Sequence, residues 1–339
     1  MGIGIASSIL ILCILALALC AEWLLPLPLD KEHFAVNGEA DDLIRQCYST
    51  WGTRYYDDFY RGEVAYPPVH TKIVRELLTK HGAMSVLDAG CGPASMLRDL
   101  DLAGLDRFGF DLTPEMLAEG RRILAAQQVP EDHLWLGSVL EASSFQSGPA
   151  SAPDRYDAAI CFGVMPHVPV DAGVSVLRNL ASAVRPGGLV ACEARNELFA
   201  LFTLNRYTQT FFRSRLINLP ALQAHAKQIG EDVNLDAMLA CFDTRFRLDL
   251  PALRKGYQGE PGYDEVLSLT HNPFEMVASA REAGLRDVEV LFYHYHALPP
   301  MVEELAPKFF RAASLAMENP RDWRGYFMAS AFIVVGIRE

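Results

Sequence analysis

The densest concentration of potential chemistry in the chain is the string VLDAGCGPAS, Val86 to Ser95. Apolar residues run into Asp88, and Gly90 and Gly92 follow at Gly-x-Gly spacing. Glycines at a strand-to-helix turn let the backbone approach a ligand closely. A second acid, Asp111, closes the next apolar run 19 residues after Gly92, where a carboxylate can hold two ribose hydroxyls. Gly-x-Gly alone fits any tight turn; the acid at this spacing is what points to a nucleoside ligand. A nicotinamide dinucleotide fits poorly, because Ser95 stands where its third glycine belongs and Asp88 would face the pyrophosphate.

Around these residues the pattern alternates between short apolar strands and amphipathic helices. Strands are predicted at Ser85–Asp88, Arg107–Phe110, His133–Leu136, Asp157–Phe162 and Leu189–Glu193. Helices are predicted at Val69–His81, from Thr113-Pro114-Glu115 to about Gln128, and at Val174–Val184, closed by a Pro186-Gly187-Gly188 turn. After Leu198 the alternation stops. Residues 198–270 read as a helical insertion rich in Phe, Leu and Arg. It resumes with a helix at Phe274–Ala283 and strands at Val288–Tyr295 and Phe327–Ile337. Alternation of this kind means a parallel sheet covered on both faces.

The sequence resembles the class I S-adenosylmethionine-dependent methyltransferases. VLDAGCGPA matches their first motif, with Ala94 in place of the usual third glycine. FGFDLTPEML matches the second-strand motif, YDAAICFGVMPHVP the fourth, and VRPGGLVACEARN the turn and fifth strand. The resemblance spans roughly Tyr48 to Asn196 and Asn272 to Glu339. It implies an α/β, Rossmann-like, seven-stranded sheet, parallel except for its last strand, in a domain covering 41–339. It implies S-adenosylmethionine as cofactor: Gly90 and Gly92 beneath it, Asp88 near its methionine portion, Asp111 on the ribose. Ser138 stands in for an acid often found near the adenine. Phe162 would line the methyl-transfer site, and Tyr55 and Tyr56 would lie in a segment that lids the cofactor.

Methyl transfer is an in-line displacement, and a base matters only where the acceptor is a hydroxyl or a protonated amine. His167 is the first candidate, followed by His294 and His296, which share one face of the sixth strand near its carboxyl end. That His pair lacks a third ligand, so no metal is expected. Arg195, Asn196 and Arg206 follow the fifth strand and are candidates for the acceptor side. A small-molecule acceptor methylated at oxygen, a glycan or a lipid-linked metabolite, is the leading reading. Protein methylation and a non-catalytic cofactor-binding module are the alternatives.

The chain has 339 residues, 50% of them hydrophobic, enough for a full-sized core. A formal net charge of −12 disfavours nucleic acid as a partner. The seven cysteines include no CxxC pair, which argues against a zinc site and a secreted disulfide framework. From Ile3 to Ala21 no residue is charged, so residues 1–22 read as an apolar membrane-anchoring helix and 23–40 as a linker. Lys31 and Arg45 follow that run, which predicts the bulk of the chain on the cytoplasmic side.

Overall fold

The computed structural model describes residues 39–49 and 67–339, apart from 254, 257, 258 and 263. The apolar run Ile3–Ala21, most of the linker, and Tyr55 and Tyr56 lie outside the described residues. Among the described residues no helix is long and apolar enough to cross a membrane. They form two compact units, one built up to Phe202 and again from Ala252, the other from Thr203–Pro251.

The larger unit holds seven strands: β1 (Ser85–Ala89), β2 (Asp106–Asp111), β3 (Leu134–Leu136), β4 (Tyr156–Cys161), β5 (Val184–Arg195), β6 (Leu285–Tyr295) and β7 (Ala329–Arg338). Their order is β3-β2-β1-β4-β5-β7-β6, and only β7 runs antiparallel to its neighbours. The strands are apolar on both sides because both faces are covered. On one face Val86, Ile160, Ala191, Leu291 and Ile333 pack with Val74 and Leu78 of helix α2 (Val69–His81). On the other, Leu87, Ala159, Val190 and Phe332 pack with Leu177 and Leu180 of α4 (Gly173–Ala183) and Met276 and Ala280 of α7 (Pro273–Glu282). Helix α1 (Glu39–Ser49) precedes α2.

Three local expectations need correction. Pro186-Gly187-Gly188 does not end an element before β5. Gly187 takes φ +76 inside a strand that starts at Val184, and the register with β4 shifts between Tyr156 and Ala158. The glycines are therefore a bulge within the strand. Thr113 precedes helix α3 (Pro114–Ala125) as expected, yet its side chain caps nothing in the helix; its hydroxyl bonds to Asp111 instead. Strand β6 starts at Leu285, three residues before the predicted Val288, and Asp287 at φ +52 marks its irregularity. Between β6 and β7, helix α8 (Pro307–Ala316) fills a stretch for which the sequence suggested no element.

The insertion is not one body. Its departing and returning ends belong to the larger unit, where Asn196 bridges His271, His271 donates to the Arg195 carbonyl and Glu197 donates to the His271 carbonyl. The smaller unit has helices α5 (Leu219–Gln228) and α6 (Leu235–Asp243), each started by an asparagine side chain accepting a backbone N–H, Asn218 from Ala221 and Asn234 from Ala237. Phe212, Phe242 and Phe246 form its aromatic core, with ring centroids 4.9–6.1 Å apart. In the larger unit, Phe199 packs on His296 at 4.7 Å.

Candidate active site

In an open α/β sheet ligands bind beyond the carboxyl ends of the strands. The larger unit has a cavity of about 580 Å³ there. Its first half is built from backbone. The turn after β1 is pinned to β2, with the N–H groups of Gly90 and Cys91 both donating to the Phe110 carbonyl at 2.8 and 2.9 Å. Gly90 sits at φ +82, and a Cβ there would lie 2.3 Å from Val164 Cγ2. Gly92, at φ +51, donates its N–H to Asp111 Oδ2 at 2.8 Å, while Thr113 N–H donates to Oδ1 at 2.8 Å. Two fixed donors thus hold the Asp111 carboxylate at the tip of β2, with lone pairs left for further donors. Ala94, where the family's third glycine would stand, takes φ +56, so its backbone keeps a glycine-like shape.

Asp88 is 2% exposed, and its Oδ1 has no hydrogen-bond partner among the described residues. Burial, with the nearby Asp111 charge, pushes its carboxyl up to about 8. Burial also raises Asp111, opposed by its backbone hydrogen bonds. A buried and a half-buried carboxyl, with no ion pair to either among the described residues, suit a ligand that brings positive charge and hydroxyls. Ser138 lines the same half, and its Oγ accepts the Leu140 N–H at 3.3 Å.

The second half is built from side chains that are distant in sequence. Phe162 follows β4 and stacks on His70 of α2 at 5.9 Å. His70 also meets Tyr293 at 5.4 Å and His294 at 6.2 Å. His70 is half-buried, its enclosed Nδ1 lacks a partner among the described residues, and desolvation lowers its pKa to about 4. His167 is engaged at both ring nitrogens. Nδ1 lies 2.7 Å from the Leu267 carbonyl, which can only accept, so Nδ1 carries the proton. Nε2 therefore accepts from the Tyr48 hydroxyl at 2.8 Å. Burial lowers His167 to about 4 and keeps it neutral.

The expectation that His294 and His296 form a pair fails. His294 takes φ +58, which breaks the alternation of the strand. Tyr293 and His294 both line the cavity as a result, while His296 lies outside the lining and packs against Phe199 and Phe310. Among the described residues no group of three or more metal-ligating side chains occurs.

Of the acceptor-side candidates, Arg195 lines the cavity and donates to Ser268 Oγ at 2.8 Å. Asn196 does not line it. Its amide donates to the carbonyls of Gly325, Tyr326 and Ala329 at 3.1, 2.9 and 2.8 Å, and its Oδ1 accepts the Leu198 N–H. This asparagine is a structural staple. Arg206 belongs to the smaller unit, with its guanidinium 5.1 Å from the centre of the Tyr207 ring.

Sequence reasoning missed Tyr48, His70, Glu193 and Tyr293. Glu193 is buried in β5, and its Oε2 accepts the Gly163 N–H at 2.7 Å. An acid directly after the apolar run Leu189–Cys192, near the carboxyl end of its strand, was the available signal.

Residues 86–188 match a family model described as a methyltransferase domain. A ubiquinone biosynthesis O-methyltransferase of Aeromonas salmonicida (strain A449) is 33% identical over 105 residues, 31% of this chain and 40% of that one. Another, of Bordetella bronchiseptica (strain ATCC BAA-588 / NCTC 13252 / RB50), is 24% identical over 260 residues, 76% of this chain and 86% of that one. The chain spans 40–53% of the length of the first such relatives it matches. A magnesium protoporphyrin IX methyltransferase from Synechocystis PCC 6803, solved with bound SAH, is 13% identical with a TM-score of 0.44, covering 89% of this chain and 100% of that one. Residues 86–188 are thus similar to a methyltransferase domain.

Proposed function

We propose that the protein transfers a methyl group from S-adenosylmethionine to a hydroxyl of a small, lipid-linked acceptor. The observation that carries the cofactor reading is the pair of carboxyls at the ends of β1 and β2. Asp111 is held by two backbone N–H groups, and Asp88, which lines the same cavity, has an oxygen without a donor among the described residues. The ribose hydroxyls would donate to Asp111, and the ammonium of the methionine portion would sit by Asp88. The bound cofactor supplies an activated methyl on a sulfonium.

The chain's own task is then orientation, which alone contributes about 7–11 kcal/mol to such a displacement. Ile44, Tyr48, Phe162 and Tyr293 give the second half an apolar and aromatic wall, with hydroxyls at two points. That wall suits an apolar hydroxylated molecule better than a glycan. The printed names of the relatives, O-methyltransferases of ubiquinone biosynthesis, agree with transfer to oxygen on such a molecule. Acceptor selection is assigned to Arg195 in the cavity. Membrane attachment through Ile3–Ala21 accords with a lipid-linked acceptor and rests on composition.

The test gives purified protein labelled S-adenosylmethionine with a prenylated hydroquinone, 3,4-dihydroxybenzoate, an oligosaccharide and a lysine-rich peptide in parallel. Label in the prenylated hydroquinone is expected. Label only in the peptide, or none with cofactor bound, overturns the acceptor reading, and failure to bind S-adenosylhomocysteine in calorimetry overturns the cofactor reading. The full-length chain is expected to resist carbonate extraction from membranes; its release refutes the anchor.

A further inference from the structure

The register of the sheet gathers a set of side chains that no sequence motif connects. Asp88 pairs with Ile160, and Ile160 with Ala191. Side chains alternate along a strand, so Glu193 leaves the same face as Ala191, one row nearer the carboxyl end. Continuing across the sheet, Glu193 pairs with Ile333 and Ile333 with Leu291, while Arg195 and Tyr293 both pair with Ala331 one row further on. Asp88, Glu193, Arg195 and Tyr293 therefore project from one face, and all four line the cavity.

Within this row Glu193 occupies an unusual place. Gly163, at φ +72, turns the chain after β4 so that its N–H meets Glu193 Oε2 at 2.7 Å. The Tyr293 side chain bonds to the same carboxyl. Phe162, next to Gly163, and His70 wall the space from above. A carboxylate held by a backbone N–H and a phenol, 7% exposed on a cavity wall, has a fixed position and an apolar surrounding. Burial raises its carboxyl above the ordinary glutamate range, opposed by the Gly163 bond, the Arg195 charge and the Tyr293 bond. That makes it a stronger proton acceptor than a solvated glutamate. His167, by contrast, has both ring nitrogens engaged.

We propose that Glu193 is the catalytic base of this enzyme, taking the proton from the acceptor hydroxyl while Tyr293 and the Gly163 N–H hold its carboxylate in place. The assignment rests on methyl transfer to oxygen as proposed above. The acceptor oxygen forms its bond to the methyl carbon as the carbon–sulfur bond breaks. The electron pair of that bond stays on sulfur, which becomes a neutral thioether. The acceptor proton passes to a Glu193 carboxylate oxygen and leaves to water after product release. Tyr293 is a positioning residue in this scheme.

The test compares wild type, Glu193→Gln and Glu193→Asp with the best acceptor found among the four probes. Wild-type kcat should rise with pH through an acidic limb. Glu193→Gln should lower kcat by about 100-fold and remove that limb, and Glu193→Asp should keep the limb at a lower rate. The limb is assigned by its loss in this variant, because Asp88, His70, His167, His294, Arg195 and Tyr293 face the same space. Calorimetric affinity for S-adenosylhomocysteine, and KM for the acceptor, should stay within about threefold of wild type. Tyr293→Phe should lower kcat by about 10-fold and shift the limb without removing it.

A Glu193→Gln variant with unchanged kcat and pH profile overturns the assignment while leaving the methyltransferase reading intact. A variant that loses S-adenosylhomocysteine binding while folded also overturns it and makes Glu193 a cofactor ligand. If wild type binds S-adenosylhomocysteine yet methylates none of the four probes, the reading and the assignment fall together.

Discussion

The two halves of the cavity are made in different ways. At the ends of β1, β2 and β3 the work is done by backbone: two glycines at positive φ, two N–H groups on Asp111 and a turn pinned to the Phe110 carbonyl. At the ends of β4, β5 and β6 it is done by side chains: Tyr48, His70, Phe162, His167, Glu193, Tyr293 and His294. A backbone-built half tolerates few changes of shape and constrains a contiguous string of sequence. A side-chain-built half can be re-cut one residue at a time. One half should therefore fix the cofactor while the other adapts to the acceptor.

The comparison breaks first, and with the largest effect, at Asn196. It lies on the second side yet acts as a staple, so Asn196→Ala strands two buried carbonyls, a part-buried one and a buried N–H. A loss of about 2–4 kcal/mol of stability is expected, read as a lowered denaturant midpoint. The folded fraction should bind S-adenosylhomocysteine normally. Next comes Asp111→Ala, which removes charge-assisted hydrogen bonds worth about 1.5–3 kcal/mol each. It should weaken cofactor affinity by about 10- to 100-fold in calorimetry and leave the acceptor KM of any residual activity little changed.

A sharper test uses the titration of Asp88. Burial and the neighbouring Asp111 charge push its carboxyl up to about 8, so it is mostly protonated at pH 7. A cation bound beside it favours the charged form, so cofactor binding should release up to one proton. Affinity for S-adenosylhomocysteine should then rise from pH 6 to pH 8, and the heat of binding should depend on the buffer's ionisation enthalpy. The sign for folding is opposite. A carboxyl raised in the folded state favours the fold below its unfolded value, and that contribution is lost as pH rises toward 8. Asp88→Asn should therefore raise the melting temperature of the cofactor-free protein by a few degrees at pH 8, while removing the proton release.

The smallest effect is expected at Ala94. Its φ of +56 costs about 1–2 kcal/mol for a residue with a Cβ. Ala94→Gly relieves that cost, and the greater freedom of glycine in the unfolded chain takes back about 0.5–1 kcal/mol. A change in unfolding free energy under about 1 kcal/mol in either direction is expected, with cofactor affinity unaltered.

The same division explains what could be read from the sequence. Asp88, Gly90, Gly92 and Asp111 stood out because a tight turn and a carboxylate at a strand tip leave a local signature. The seven-stranded sheet and its antiparallel last strand followed from the family resemblance of four successive motifs. The acceptor side was barely legible. His70 sits on an ordinary amphipathic helix, and Tyr293 becomes a neighbour of Glu193 only through the pairing of β5, β7 and β6. Asn196 was read as an acceptor contact because an asparagine past a strand end looks the same whether it faces a ligand or three carbonyls. His296 was misplaced for a backbone reason, since alternation does not survive a residue at φ +58.

The short bridge between Asn196 and His271 has an evolutionary meaning. Where a detour begins and ends at hydrogen-bonded neighbours, its contents can be lengthened, shortened or exchanged without moving the strands that flank it. Arg195 and His271 close that gate through their backbones, independently of the side chains carried between them. The stretch beyond Phe202 is in this sense a cassette on a fixed socket. Grafting a different cassette between the same two residues is expected to leave the affinity for S-adenosylhomocysteine unchanged in calorimetry.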